Sequence, residues 1–247
     1  MGVKPALLLL HGVTRCGADF SPIAGALRPR WRIVAPDQRG HGVAVRAASY
    51  LVTDYVADAV KLAREPVVIH GHSLGAMVAA AVAAELPGLV RGVVLEDPPF
   101  HTMGARIHGT PWQEQFIGMR DVARAGGSVE QMTDALAAVR VGTHTLGEVR
   151  DRSALRWSAE CLERIDPEVL TPIIAGRWLD GYDLTAIAAR IRCPVLLLQG
   201  DPAAGGTLSD DDACLFPAAR NERFPGTGHQ IHWLEPARVA ALVNDFP

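Results

Sequence analysis

The sequence predicts an α/β fold in which a mostly parallel sheet of about six strands carries helices on both faces. Short apolar runs alternate with longer helix-like segments over the first hundred residues, and such alternation is typical of βαβ units. The apolar runs are continuous, which is typical of strands buried on both faces of a parallel sheet. The chain has 247 residues, 49% of them hydrophobic, and this is enough for one domain with a large core.

Five apolar runs and one mixed segment are predicted as strands. The apolar runs are rich in Val, Ile and Leu and are followed by polar residues or glycine. In chain order they are Ala6–Leu10, Trp31–Pro36, Pro66–His70, Val93–Leu95 and Pro194–Leu198, and a further short strand is expected near Asn221–Phe224.

Three segments between the strands are predicted as helices of the sheet layers. In Val52–Ala63 the apolar residues recur at helical spacing on one face, as in a helix that packs on a sheet. Ala76–Leu86 is nearly all Ala, Val and Met, so this helix is expected to be buried on most sides. The last helix is predicted over Pro236–Phe246.

The alternating pattern breaks between residues 100 and 190, where no clear strand is visible. Trp112, Phe116 and Met119 fall at helical spacing in this stretch. They form either a helical packing face or the wall of an apolar pocket, and the sequence leaves both interpretations open. We predict a core formed by residues 1–99 and 191–247, and a helical insert over residues 100–190 that serves as a lid.

Composition and charge exclude several classes of function. The formal net charge of −3 excludes the basic field expected of a nucleic-acid-binding protein. The N-terminal apolar run is too short for a membrane span and lacks a signal-peptide cleavage site, so a cytoplasmic protein without membrane contact is expected. The sequence does not fix the oligomeric state and is compatible with a homodimer.

No metal, organic cofactor or disulfide framework is expected. Four cysteines are scattered without zinc or redox spacing, and Cys16 is interpreted as a bystander near a functional loop. Cys193 is predicted as a small core residue at the start of a buried strand. The acidic run Asp210–Asp212 is interpreted as a solvated loop or the start of a helix, rather than as a metal site.

Residues 71–75, which read GHSLG, are the strongest functional motif. The G-x-S-x-G pattern lies between a predicted strand and a predicted helix, as in a nucleophile elbow. Glycines let the turn close and let substrate approach, and the helix N-terminus favours negative charge near the serine. Ser73 is therefore predicted as a catalytic nucleophile.

The predicted general base is His229, in the turn Gly226–His229 that follows the last strand. A loop at this position returns to the sheet edge where Ser73 is expected, and histidine has a pKa suited to the role. His232 is the competing candidate. The backbone amides of Val13, after the first strand, and Leu74, after the nucleophile, are the predicted oxyanion hole.

The chain resembles the α/β-hydrolase superfamily along nearly its whole length. The resemblance rests on His11–Gly12, the DQRGHG segment at residues 37–42, the GHSLG segment and the GTGH turn ending at His229. The DQRGHG segment resembles a mainly structural loop of the family. The family often begins with an antiparallel hairpin, but the first parallel strand here starts by Ala6, so the hairpin is expected to be missing.

The resemblance leaves the acid of the catalytic triad open between three residues. The usual family position, after the next-to-last strand, is occupied by Ala203, with Asp201 two residues earlier. A second family position follows the strand after the nucleophile helix and resembles Asp97 in register, with Glu96 one residue too early. We predict Asp97, with Asp201 as the main alternative.

The resemblance implies an esterase-like serine hydrolase acting through an acyl-Ser73 intermediate without any cofactor. The apolar residues of the insert favour a carboxylic ester, lactone or thioester of a small to medium apolar compound. Hydrolysis of a carbon–carbon bond, or acyl transfer or cyclisation in a biosynthetic pathway, is an alternative on the same fold. A ligand-binding module without turnover is the alternative of another class.

Overall fold

The computed structural model describes residues 4–246 and contains one six-stranded parallel sheet. All strand pairs in this sheet are parallel, in the order β2-β1-β3-β4-β7-β8. A separate antiparallel pair consists of β5 and β6. The strands are β1 (Ala6–Leu10), β2 (Arg32–Val34), β3 (Val67–His72), β4 (Val90–Glu96), β5 (Arg140–Val141), β6 (His144–Thr145), β7 (Val195–Gly200) and β8 (Arg220–Phe224).

Twelve α-helices lie within the described residues, and none of them is long and apolar enough to cross a membrane. They are α1 (Ser21–Leu27), α2 (Val52–Leu62), α3 (Leu74–Glu85), α4 (Pro111–Ala125), α5 (Val129–Ala137), α6 (Leu146–Val149), α7 (Arg152–Leu162), α8 (Thr171–Ile174), α9 (Leu184–Arg190), α10 (Asp210–Ala213), α11 (Ile231–Leu234) and α12 (Pro236–Asp245).

Two hydrophobic clusters, one on each face of the sheet, form the core. Ile23 and Leu27 of α1 share one cluster with Val239 and Val243 of α12. The other cluster contains α2, α3 and the helices between β4 and β7. Every residue of α3 except Glu85 is buried, because this helix packs on the sheet and also contacts α2 and α9. The predicted burial of this helix on most sides is confirmed.

The expectation that the strands are buried on both faces holds for the central strands and is wrong at the sheet edges. All residues of β1, β3 and β7 are buried, and so are those of β4 except Arg91, whereas β2 and β8 contain several exposed residues. The physical reason is that an edge strand has one neighbour in the sheet. Cys193, predicted as a core residue, is half-buried just before β7.

Six helices, α4 to α9, occupy the segment between the neighbouring strands β4 and β7. The sequence showed no strand here, but β5 and β6 pair through a tight turn at Gly142, where φ is +64°. Two-residue strands are too short to produce a periodic pattern, which explains why they were not predicted. The division into a core and an insert at residues 99 and 190 stays a prediction.

Candidate active site

Ser73 lies in the turn between the end of β3 and the start of α3. Its backbone has φ +54° and ψ −115°, a conformation that L-residues rarely adopt and that strains the turn. The Ser73 N–H donates to the carbonyl oxygen of Glu96 at 2.9 Å, which fastens the strained residue to the neighbouring strand. The geometry is that of a strand–turn–helix elbow with the serine at its tip.

Gly71 and Gly75 lie where the backbone is packed too closely for any side chain. A Cβ atom at Gly71 would lie 2.0 Å from the Gly75 carbonyl oxygen, and one at Gly75 would lie 1.9 Å from the Leu10 carbonyl oxygen. Both contacts are with backbone atoms that cannot move aside. The two glycines of the motif are thus explained by the close approach of β1, β3 and α3.

His229, in the loop after β8, contacts Asp97, the residue that follows β4. His229 Nδ1 and Asp97 Oδ2 are 2.6 Å apart, and Asp97 is fully buried. Asp97 adopts φ +45°, a strained conformation that is common at functional sites. The structure therefore brings the preferred acid and the predicted base together.

The Asp97 carboxylate accepts hydrogen bonds from the backbone N–H groups of Gly200 (3.0 Å), Thr207 (2.8 Å) and Leu208 (3.1 Å). Burial acts to raise the pKa of Asp97, but the hydrogen bond and charge of His229 and the backbone amides outweigh burial, so its pKa lies below the ordinary value. Asp97 is therefore held as an anion. Thr207 Oγ1, which also contacts Asp97 and His229 Nδ1, was not predicted, because the polar loop around it carries no motif.

The two other acid candidates have different partners. Asp201 accepts from the N–H groups of Ala203 (2.9 Å) and Gly226 (2.8 Å) and caps these turns. Glu96 is fully buried and contacts His70 Nε2 at 2.8 Å and His232 Nδ1 at 2.7 Å. Neither carboxylate contacts His229 within residues 4–246.

His232, the competing base, is buried between two carboxylates. Its Nδ1 faces Glu96, and its Nε2 lies 3.3 Å from Asp19. Burial lowers its pKa, but Glu96 and Asp19 together raise the pKa to about 10. A histidine that stays protonated at neutral pH is not a general base there.

Among residues 4–246, His72, Glu96 and His232 form the sole cluster with metal-ligand spacing. A metal ion requires neutral imidazole ligands, whereas His232 is held protonated by Glu96 and Asp19. Glu96, His232 and Asp19 are better described as a buried network of ion pairs, beside which burial lowers the pKa of His72 to about 3 and keeps its ring neutral. His72 donates from Nε2 to the carbonyl oxygen of His229 at 2.9 Å, which supports the loop that carries His229.

The backbone amides of Val13 and Leu74 have no hydrogen-bond partner within the described residues, so both are available to an incoming oxygen. The loop that carries Val13 is anchored to the DQRGHG segment at residues 37–42. Gln38 N–H donates to His11 Nε2 at 2.9 Å, and Thr14 N–H donates to His41 Nε2 at 3.3 Å. Burial lowers the pKa of His41 to about 3, which keeps its ring neutral and able to accept.

Ser73 and His229 line one pocket, although neither Ser73 Oγ nor His229 Nε2 has a hydrogen-bond partner among residues 4–246. Such contacts are often loose in the absence of substrate. The pocket has an open volume of about 40 Å³, which suits a small substrate group. Its apolar wall contains Trp112, Phe116 and Met119, so the helical face predicted from their spacing does border a pocket.

The same pocket has polar lining residues that the sequence analysis missed. These are Arg15, Gln115, Arg150 and Gln230. They come from the loop after β1, from α4, from the link between α6 and α7, and from the loop after β8. Residues so distant in the chain form no motif, and their proximity is a property of the tertiary structure.

Comparison with known proteins agrees with this geometry. Residues 7–242 match the model of the alpha/beta hydrolase family. The chain belongs to this family. It is accordingly an enzyme of the hydrolase class, as the motifs around Ser73 and His229 predicted.

Three relatives illustrate the similarity. A pimeloyl-[acyl-carrier protein] methyl ester esterase of Xanthomonas axonopodis pv. citri is 31% identical over 241 residues, covering 93% of this chain and 89% of the relative. A 2-(acetamidomethylene)succinate hydrolase of Mesorhizobium japonicum is 40% identical, but over only 39% of this chain and 36% of the relative. A crystal structure of E-2-(acetamidomethylene)succinate hydrolase superposes with a TM-score of 0.71 at 25% identity, covering 99% of this chain and 92% of that one.

Proposed function

We propose that this α/β-hydrolase is a serine hydrolase that cleaves a carboxylic ester, lactone or thioester of a small compound through an acyl-Ser73 intermediate. The observation that carries the proposal is the 2.6 Å contact between buried Asp97 and His229 in the pocket of Ser73. A nucleophile, a base and an acid that orients the base are the parts this chemistry needs.

The proposed reaction has two steps. Ser73 Oγ attacks the carbonyl carbon while His229 Nε2 takes its proton, and the protonated imidazole then gives that proton to the leaving group. Water, deprotonated by His229, attacks the acyl-enzyme and releases the acid. Asp97 holds the Nδ1–H of His229 and stabilises the positive charge on the ring in both steps.

The tetrahedral oxyanion of each step is assigned to the amides of Val13 and Leu74. Both are free of other hydrogen bonds in the described residues, and Leu74 is the first residue of α3, where the helix dipole favours negative charge. Removing one such donor in other enzymes reduces kcat by roughly 10²- to 10³-fold. Because these two N–H groups are already oriented, they stabilise the oxyanion more than water molecules do, which must first reorient.

Cleavage of an ester is the favoured reaction, because the methyl ester esterase of Xanthomonas matches nearly the whole chain. The apolar wall of Trp112, Phe116 and Met119 supports a substrate with an apolar portion. Carbon–carbon bond hydrolysis and acyl transfer use the same residues, and product analysis with ester and thioester panels distinguishes them. The cytoplasmic location and the homodimer stay predictions.

The test is intact-mass analysis after incubation with a fluorophosphonate probe. We expect one adduct on the wild-type chain and none on Ser73→Ala, whereas the control Ser21→Ala, changed at an exposed serine, is labelled like wild type. Absence of any adduct on the folded wild-type chain would contradict the proposal and favour a ligand-binding module.

A further inference from the structure

The pocket of Ser73 contains a guanidinium group without a protein partner. Arg150 lines the pocket beside Trp112 and Gln115, and its side chain makes no hydrogen bond or ion pair with any residue in 4–246. The adjacent acid, Asp151, is occupied elsewhere: its carboxylate accepts from Ser153 Oγ and from the N–H of Ala154 at the start of α7. Arg150 is therefore positioned by the chain without being neutralised by it.

A second guanidinium, that of Arg15, lies in the same pocket and is buried. Arg15 Nη1 donates to Ser158 Oγ at 2.9 Å, and its Nε lies 3.8 Å from Asp19 Oδ1. The Gln230 side-chain oxygen, turned towards Arg15, accepts from Nη2 and from Nε, the latter at 3.1 Å. These contacts fix the position of Arg15 without supplying a carboxylate to Arg150.

Two guanidinium groups that line one small pocket repel each other, and burial takes away part of their hydration. Burial, and then the charge of Arg15, lower the pKa of Arg150 to about 10, and the group is still charged at neutral pH. The net charge of the whole chain is −3, so a general excess of basic residues does not explain the pair. An anion that arrives with the ligand removes the repulsion.

We propose that Arg150 and Arg15 bind a carboxylate of the substrate, and that the substrate is a small ester or lactone that carries a free carboxylate. The planar guanidinium group matches a carboxylate with two parallel hydrogen bonds. The inference rests on the proposed function of Ser73 for the bond that is cleaved, but the anion site itself is independent of turnover.

The remaining pocket residues fit such a substrate. Trp178 Nε1 is buried without a hydrogen-bond partner within residues 4–246, and Gln115 Nε2 has only the Met119 sulfur at 3.7 Å. Both are neutral donors for further oxygens of the substrate. The apolar wall faces the carbon chain between the carboxylate and the scissile bond. The sequence analysis expected an apolar substrate. The carboxylate site favours instead a substrate with an apolar middle and an anionic end.

The kinetic test compares monomethyl esters of succinate, glutarate and adipate with the corresponding dimethyl esters, which lack the free carboxylate. We expect wild type to prefer the monoester of at least one chain length by more than tenfold in kcat/KM. Arg150→Gln is expected to reduce this preference by about 10- to 100-fold, as is typical of a lost charge-assisted hydrogen bond. The quantity compared is the ratio of kcat/KM for the monoester to kcat/KM for the dimethyl ester, so a general loss of activity does not imitate the effect.

Arg106→Gln is the matched control, because Arg106 is an exposed arginine between β4 and α4 with no ion pair among the described residues. This variant also removes one positive charge from the segment between β4 and β7. It is expected to keep the preference for the monoester. Arg150→Gln is expected to unfold at the wild-type temperature or above it, because no protein partner of Arg150 is lost. A kinetic effect with an unaltered melting temperature indicates substrate binding rather than misfolding.

Calorimetric binding of the free diacids to Ser73→Ala separates this inference from the proposed function. Binding by Ser73→Ala that is lost in the double variant with Arg150→Gln supports the carboxylate site, even if the fluorophosphonate probe fails to label Ser73. Equal turnover of mono- and dimethyl esters by wild type, together with diacid binding that does not depend on Arg150, overturns the carboxylate site and leaves the hydrolase proposal intact.

Discussion

At the scale of single residues, the carboxylates are distinguished by what their oxygens contact. Asp97 is aimed at His229 and holds three backbone amides, whereas Asp201 caps two turns. Glu96, next to Asp97 in the chain, pairs instead with His70 and His232. Glu96 is the last residue of β4, whereas Asp97 leaves the extended conformation with φ +45°, so the two neighbouring acids contact different histidines.

We expect Asp97→Asn to lower kcat on an ester about 10³- to 10⁴-fold, since the same change in a serine-protease triad has an effect of this size. The amide no longer selects the productive tautomer of His229. Asp201→Asn is the matched control and should retain most of the turnover. Steady-state kinetics and circular dichroism of both variants check this, and the reverse ranking would assign the acid to Asp201.

The free energy of unfolding is expected to fall as pH rises from 7 to 10, because of His232. Its pKa is about 10 in the folded chain and has the ordinary value of 6.5 when exposed. The stabilisation by the imidazolium is complete below about 6.5 and is lost as pH rises through about 10, at up to about 1.4 kcal/mol per pH unit.

Urea unfolding of wild type and of His232→Gln at several pH values measures this contribution. The variant should be less stable at pH 7 and should show a smaller decrease towards pH 10. His108→Gln, changed at an exposed histidine, serves as the control and should follow wild type. Parallel pH profiles for wild type and His232→Gln would show that His232 does not stay protonated in the fold.

At the scale of elements, the elbow depends on how closely β1, β3 and α3 approach one another. The β1 and β3 strands pair in register from Ala6 with Val67 to Leu10 with Gly71, and α3 starts directly above the ends of these strands. The turn is therefore strained and crowded at the same place. Its two glycines allow the strands and the helix to pack closely. The serine between them adopts the strained dihedral angles.

Gly75→Ala is expected to lower the free energy of unfolding by about 3 kcal/mol or more, because the added methyl group overlaps the Leu10 carbonyl oxygen. Gly25→Ala is the matched control: Gly25 lies inside α1 and a Cβ there meets nothing within 4 Å. This change should stabilise the chain by roughly 0.5–1 kcal/mol through helix propensity. Denaturant unfolding tests both, and similar effects of the two substitutions would contradict the packing argument.

At the scale of the whole molecule, α7 is held against the segment that follows β1 by side chains distant in sequence. Trp157 Nε1 donates to Asp19 at 2.9 Å, and Arg15 reaches Ser158. The thiols of Cys16 and Cys161 lie 3.9 Å apart across the same contact. The hydrogen bond from Cys161 lowers the pKa of Cys16 to about 7, so a thiolate is present there at neutral pH.

Mild oxidation with diamide is therefore expected to join Cys16 and Cys161. Each bond formed removes two hydrogens from the chain, which the diazene takes up as the hydrazine, so the count of free thiols falls from four to two. The variant Cys16→Ser should keep its remaining thiols, whereas Cys214→Ser, changed at an exposed cysteine, should still form the disulfide. Intact-mass analysis and thiol titration check the result, and a disulfide that includes Cys214 instead would contradict it.

Much of the fold followed from local patterns in the chain. The apolar runs predicted five of the six parallel strands within a few residues, and a mixed segment predicted the sixth, β8. Burial on both faces leaves a continuous apolar pattern in the central strands. The GHSLG motif and the GTGH turn placed Ser73 and His229 at the same sheet edge, since the carboxyl ends of parallel strands all lie there.

Other properties depended on contacts between distant segments. The sequence left Asp97, Asp201 and Glu96 open as acids, and only the packing of β4 beside β7 and the loop after β8 brings Asp97 to His229. Arg15 and Arg150 line one pocket, and Cys16 contacts Cys161, although more than a hundred residues separate the members of each pair in the chain. The local sequence pattern determines which strands and turns form. The charge and shape of the pocket arise from side chains that come together only after the chain has folded.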